Sequence, residues 1–318
     1  MRTQIRTVLA LHRFEVGAIG LGGLIGTIAA LVIASRLSSL GVPLGCFGTD
    51  VQPSASCLDG LRAFSQIDRR EAERFFAVLV IFPVLAGLLL GVPAVSREIE
   101  RGTAAFPWTL EGSRRRWLLT RSVVLAVSLL IALVPLALAA DHLEGVRHPT
   151  VPAAASFGAE GLRGLPLVAR GLTGFGAGLL IGLVIGRQLP ALIVGFVAAT
   201  VLVTGGLMIM NGWAHSQGEA RALDAVSAGD YQFDTRLRAL DGTLVSFRDA
   251  EALQPVRPEI PPGSIDEEWI QANFEEVAIL IPGLRYGEES LLHSGLLTGA
   301  SLTCILLAFG LIERRRPS

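Results

Sequence analysis

Lysine is missing from this 318-residue sequence; all 27 basic residues are arginine. That absence removes two chemistries. A nucleotide-binding P-loop, GxxxxGK[ST], needs its lysine on the phosphates, and a lysine Schiff base needs the amine. Charge of either sign is scarce: 17% of residues, against about 25% in an ordinary soluble protein. A formal net charge of −1 provides no basic field, so no nucleic-acid partner is expected. None of the five histidines lies in HExxH, and no GxSxG occurs, which removes the zinc-protease and serine-hydrolase signatures. Asp141, His142 and His148 match no ligand spacing, so no metal site is expected. The glutamate pairs at 267–268, 275–276 and 288–289 read as solvated faces, and no catalytic residue is expected. Of three cysteines, Cys304 falls in an apolar run with no evident base beside it.

Hydrophobic residues make up 51% of the chain. They gather into six long runs, residues 16–35, 75–96, 122–140, 165–186, 190–213 and 291–312. As helices each reaches across the roughly 30 Å hydrocarbon core of a bilayer. The first is longer than the 7–15 residues or so of a signal-peptide core, so it reads as a retained span. The fold class expected is an all-α polytopic membrane protein with six transmembrane helices. Pro83, Pro93 and Pro135 are either hinges or prolines accommodated by neighbouring helices. The fourth run carries Gly171, Gly174, Gly176, Gly178, Gly182 and Gly186, which suits either close helix packing or a thin cavity wall. Arg170 near its end is placed to snorkel toward the membrane surface.

Arginine placement orients the six spans. With both termini inside, the inside segments hold 13 arginines and 5 acids, and the outside segments 14 arginines and 23 acids. The positive-inside rule favours that arrangement. Loop 36–74 is then external. It contains Cys46 and Cys57, which an oxidising compartment would pair; two free thiols are the alternative. In the same loop Leu58, Leu61, Phe64 and Ile67 outline an amphipathic surface helix. Residues 141–163 form a second external loop. Residues 215–289 carry 15 acids and 6 arginines and read as a small α+β external domain. A hairpin turn is expected at Leu240-Asp241-Gly242-Thr243 between strands 232–240 and 243–248, followed by a helix over 267–280. The acidity suits solubility or the recruitment of cations or basic peptides. The division is 1–212 (spans one to five), 213–290 (external acidic domain) and 291–318 (last span and cytoplasmic tail).

One inside segment, 96–121, is strongly charged: SREIERGTAAFPWTLEGSRRRWLLTR. Residues 95–101 mix apolar and charged positions as a short surface helix does. Gly102-Thr103 is placed to stop it, Pro107 interrupts again, and Ser113 suits the N-cap of the third span. Arg114, Arg115 and Arg116 in that span's first turn oppose the helix dipole, and their inside position favours them. An ordinary charged loop is the plain reading.

With Glu98-x-Glu100-x-Gly102-Thr103, Trp108-Thr109 and Ser113-Arg114-Arg115-Arg116-Trp117-Leu118-Leu119, the segment resembles the coupling elbow of the integral-membrane permease subunits of type-2 ABC exporters. The six-span layout extends the likeness over nearly the whole chain. The resemblance implies a permease that works as a pair, homodimer or paralogue, in the bacterial inner or plasma membrane. It implies a separate ABC ATPase subunit carrying the ATP and magnesium, docked on Glu98, Glu100, Gly102 and Thr103. Arg114, Arg115, Arg116 and Trp117 would anchor the elbow among lipid headgroups. No cofactor is expected in this chain, and the substrate is not legible. His293 stands where many relatives carry an acid, which leaves the role of that end open. The competing classes are a non-transporting membrane receptor or immunity protein and, less favoured, an integral membrane enzyme.

Overall fold

The computed structural model describes residues 2–47, 54–103, 113–255 and 267–314. Among these, six helices are long and apolar enough to cross a membrane: Arg13–Ser39, Ala55–Gly91, Arg114–Arg147, Gly164–Ile185, Gln188–Gln217 and Gly283–Arg314. They are spans one to six, and the protein is a multi-pass membrane protein as expected. The chain forms two compact units: residues 1–153, 159–210 and 288–318, and residues 154–158 with 211–287.

In the first unit the spans sort their faces by what they touch. Span three buries Leu125, Leu129, Leu133, Leu136 and Leu143 while Val127, Ile131, Val134 and Leu138 are exposed. That is a 3.6-residue period with apolar side chains on both faces, the pattern of a helix between protein and lipid. Span four is the most enclosed, and its glycines are the reason. A Cβ at Gly171 or Gly174 would strike Leu133 or the Val84 carbonyl, and one at Gly182 would meet the Val92 carbonyl at 2.7 Å. Facing them on span two, Gly87 and Gly91 lie against the backbone of Gly171 and Phe175. On another side, Gly176 approaches Ser301 of span six. The glycines serve close packing.

Two boundaries differ from expectation. The helix over Leu58–Ile67 forms, with Ser54 Oγ accepting the Cys57 N–H (3.3 Å). It does not stand alone, however: it runs through a π-helical turn at Asp68–Ala72 into span two. Span three continues to Arg147, seven residues into the expected loop. Its charged end is stabilised by distant partners. Buried Glu144 accepts from Arg147 (2.9 Å) and lies 2.8 Å from His148 Nδ1. Arg147 forks onto Asp68 (2.5 and 3.2 Å), and Asp141 pairs with fully buried Arg163.

Cys46 and Cys57 form a disulfide, Cα to Cα 5.5 Å, tying the 3₁₀ turn Leu44–Phe47 to the start of the next helix. Alkylation under denaturing conditions is expected to label one cysteine of the three without reductant and all three with it. Removing so short a cross-link should cost about 3 kcal/mol. Labelling of three thiols in an unreduced sample would refute the bond.

The second unit holds a four-stranded antiparallel sheet: β1 (Glu219–Ala222), β2 (Tyr231–Ala239), β3 (Leu244–Val245) and β4 (Phe274–Ile281), in the order β1-β4-β2-β3. The expected hairpin joins β2 to β3, but its second strand is shorter than the expected 243–248: it ends at Val245, and Phe247–Leu253 is a helix capped by Ser246. Gly242 takes φ +87°, and Asp241 Oδ1 accepts both the N–H and hydroxyl of Thr243. The helix expected over 267–280 is corrected: it ends at Asn273, and residues 274–281 are β4. This strand is central, pairing on both sides, with Val277, Ala278, Leu280 and Ile281 buried. A buried central strand reads as a continuous apolar run, and periodicity does not separate that from a helix.

Candidate functional site

After a turn at Val92, the helix Pro93–Glu100 opens the elbow, with proline in the first position, where no N–H is needed. It buries Ala94, Val95 and Ser96. Gly102 ends it at φ +68°: its N–H reaches the Ile99 carbonyl (3.1 Å) and the Thr103 N–H reaches that of Glu98 (3.0 Å). Those two bonds are a Schellman stop, which satisfies the last carbonyls and favours glycine at the left-handed position. Phe106, Pro107, Trp108 and Thr109 lie outside the described residues. The chain resumes at Ser113, whose Oγ accepts the Arg116 N–H (3.2 Å) and caps span three.

The elbow's charges reach three spans. Arg121, buried in span three, donates to the Ala94 carbonyl (3.1 Å) and pairs with the Glu98 carboxylate. Its guanidinium lies 4.4 Å over the Trp117 ring. Arg97 pairs with Glu15 and donates to the Leu11 carbonyl (2.9 Å). Glu100 Oε2 accepts the Gln188 N–H (3.1 Å) at the start of span five, where the helix dipole favours a carboxylate. His12 is fully buried beside this network. Burial, then the charge of Arg121, lowers its pKa to about 4 against the pull of Glu15, so it is neutral at pH 7.

The expected docking residues therefore divide. Glu100, Gly102 and Thr103 are exposed, whereas Glu98 turns inward to Arg121. The anchor group divides too. Trp117 is 1% exposed, beneath Arg121, so it is not at the surface. Arg114 reaches the Ile312 and Glu313 carbonyls (3.5 and 3.4 Å), and Arg115 pairs with the Glu313 carboxylate (2.5 Å). They join the start of span three to the end of span six.

A second cluster escaped the sequence reading. Glu160, in the turn before span four, meets Glu289 and His293 from the first turns of span six, their ligand atoms within 4.8 Å of one another. Glu289, expected on a solvated face, is buried, and so is Arg170, expected to snorkel. Burial, then the adjacent Glu289 carboxylate, pushes the Glu160 pKa up to about 8, with Arg170 opposing. The signal available was the i, i+4 spacing of Glu289 and His293, which places both on one helix face. Asp141, His142 and His148 form no such group; Asp141 and His148 are engaged by Arg163 and Glu144.

The family model described as ABC-2 membrane transporter related matches residues 22–212, from within span one to within span five. The chain belongs to that family. No curated protein and no solved structure matches it. As an ABC-2 membrane transporter related protein it is a permease-type transport subunit, and the family implies association with an ABC ATPase in a membrane. The matched residues of this ABC-2 family member include the whole elbow; the sheet unit from residue 213 onward, Glu289 and His293 lie beyond them.

Proposed function

We propose that the protein is the transmembrane subunit of an ATP-driven exporter, that it works as a pair of permeases, and that the elbow 96–121 couples it to a separate ATPase. The observation that carries this reading is the set of ties on one short helix. Glu98, Arg97 and Glu100 connect it to span three, the start of span one and the start of span five. A force on its exposed end, Glu100 to Thr103, is thereby shared by three membrane helices. The absence of lysine supports hydrolysis in a partner chain, because this one has no P-loop. The substrate pathway would lie between the two permeases, and both termini and the elbow would face the cytoplasm of a bacterial cell.

Gly102→Pro and Glu100→Arg test the coupling. Proline cannot adopt the positive φ of Gly102 and has no N–H for the Ile99 carbonyl. Arginine at 100 puts a positive charge at the positive end of span five. Both variants should insert normally. Each should retain the ATPase subunit at least tenfold less well, about 1.4 kcal/mol, or hydrolyse ATP without transport. Wild-type assembly and coupled hydrolysis in both variants would remove the elbow from the mechanism.

A further inference from the structure

The structure assigns a divalent-cation site to Glu160, Glu289 and His293, with first-row transition ions such as Zn²⁺ or Mn²⁺ as the ligand class. Nothing in the transport reading requires it, and it does not rest on that reading.

Two of the three side chains are buried, and the histidine among them is left without a hydrogen bond. His293 is 0% exposed, and among the described residues neither ring nitrogen makes a hydrogen bond. Glu289 is 2% exposed, and its carboxylate faces the other two members of the cluster, Glu160 and His293. On the same helix its Oε1 lies 3.5 Å from His293 Nδ1. An unsatisfied buried polar group is costly, and a charged one more so. One ligand atom from each of the three side chains lies within 4.8 Å of the others, so a single partner can meet all three.

The third ligand is delivered by a loop bent to reach that point. Ala159, immediately before Glu160, holds φ +48° without being glycine, and Gly161, immediately after, holds φ +72°. A Cβ on Gly161 would come within 2.6 Å of an Arg170 Nη and 3.4 Å of the His293 ring. The loop backbone thus lies directly on the site, and glycine is what permits the approach.

The chemistry of the donors selects the ion. One imidazole nitrogen with carboxylate oxygens suits zinc, manganese or iron(II) better than magnesium or calcium, which favour oxygen alone. Ligand bonds of about 2.0–2.2 Å place tetrahedral donors roughly 3.3–3.6 Å apart. The present spread is up to 4.8 Å, so binding would draw the donors together by about 1 Å. Three protein ligands leave a coordination position for water. The competing partner is a proton shared between Glu160 and Glu289. It would satisfy the carboxylates and leave both nitrogens of His293 dry. A metal ion engages all three side chains.

The test uses the full-length chain in detergent, stripped with chelator and then given Zn²⁺, Mn²⁺ or Mg²⁺. Zn²⁺ or Mn²⁺ should raise Tm by several degrees, and about one ion per chain should survive gel filtration; binding to the folded state alone produces such a shift. Mg²⁺ should do neither. His293→Gln and Glu160→Gln should lose the shift and at least tenfold in affinity, while His142→Gln, at an exposed position away from the cluster, should keep both. If His293→Gln does not accumulate, Glu160→Gln, on the half-buried loop, still decides. No retained ion in the wild type overturns the site, as does a shift that persists in the ligand variants. So does a Glu160→Gln protein that gains stability while the wild type ignores metal, because the carboxylates then hold a proton.

Discussion

Replacing Arg121 with methionine is expected to destabilise the bundle by about 3–5 kcal/mol, the usual consequence of leaving one member of a buried ion pair alone. The side chains of Arg121 and Glu98 are 9% and 12% exposed, so water does little to shield the carboxylate that loses this cation. The variant also loses the donor to the Ala94 carbonyl and the cation over Trp117. The comparison that isolates the ion pair is Arg121→Met with Glu98→Gln. Removing the Glu98 charge as well should restore much of the lost Tm, because replacing both members of the pair is far cheaper than replacing one. Thermal unfolding of wild type, both single variants and the double variant in one detergent measures the coupling. If the double variant is no more stable than Arg121→Met, or Arg121→Met loses less than about 1 kcal/mol, the pair behaves as a surface salt bridge and the elbow is held by packing.

Gly174→Val should be as damaging, for a steric reason. The new Cβ would collide with the Val84 carbonyl, backbone against backbone, and no rotamer relieves it. Overpacking of side chains costs roughly 1–3 kcal/mol. Here two helices must separate, so the expected loss is at or above the top of that range, with little monodisperse protein recovered from membranes. Gly205→Val in span five is the control, since nothing lies within 4 Å of its added Cβ. Equal yield and Tm for the two variants would show that spans two and four tolerate separation.

What the sequence made legible was what local chemistry decides. An apolar run of about 20 residues marks a span whatever it packs against. Gly102 and Ser113 announce their caps, and Leu240 to Thr243 its hairpin, through residues adjacent in the chain. What stayed hidden depends on partners far away in sequence. The charges at 141, 144 and 147 looked like a loop, because Asp68 and Arg163, which help satisfy them, are remote. Glu98 looked like a docking acid until Arg121 was placed beside it, and Glu289 looked solvated until span six turned it inward. β4 was mistaken for helix because its two covering strands were out of view. Trp117 is the simplest case. A tryptophan next to three arginines suits a headgroup region, and only the path of span three shows it facing the core.

The glycine seam between spans two and four also limits where a molecule can travel. A permeation route needs width, and width comes from side chains that hold two backbones apart. Along this seam Gly87 meets the backbone of Gly171, Gly174 that of Val84 and Gly91 that of Phe175, so the gap is thinner than a methyl group. No solute passes there without parting the two helices. The broad apolar faces left exposed belong elsewhere: Leu21, Leu24 and Ile28 on span one, Ile193, Val197 and Val201 on span five, and Leu302 and Leu306 on span six. A corridor through the membrane would have to lie off this seam, which stands as a partition.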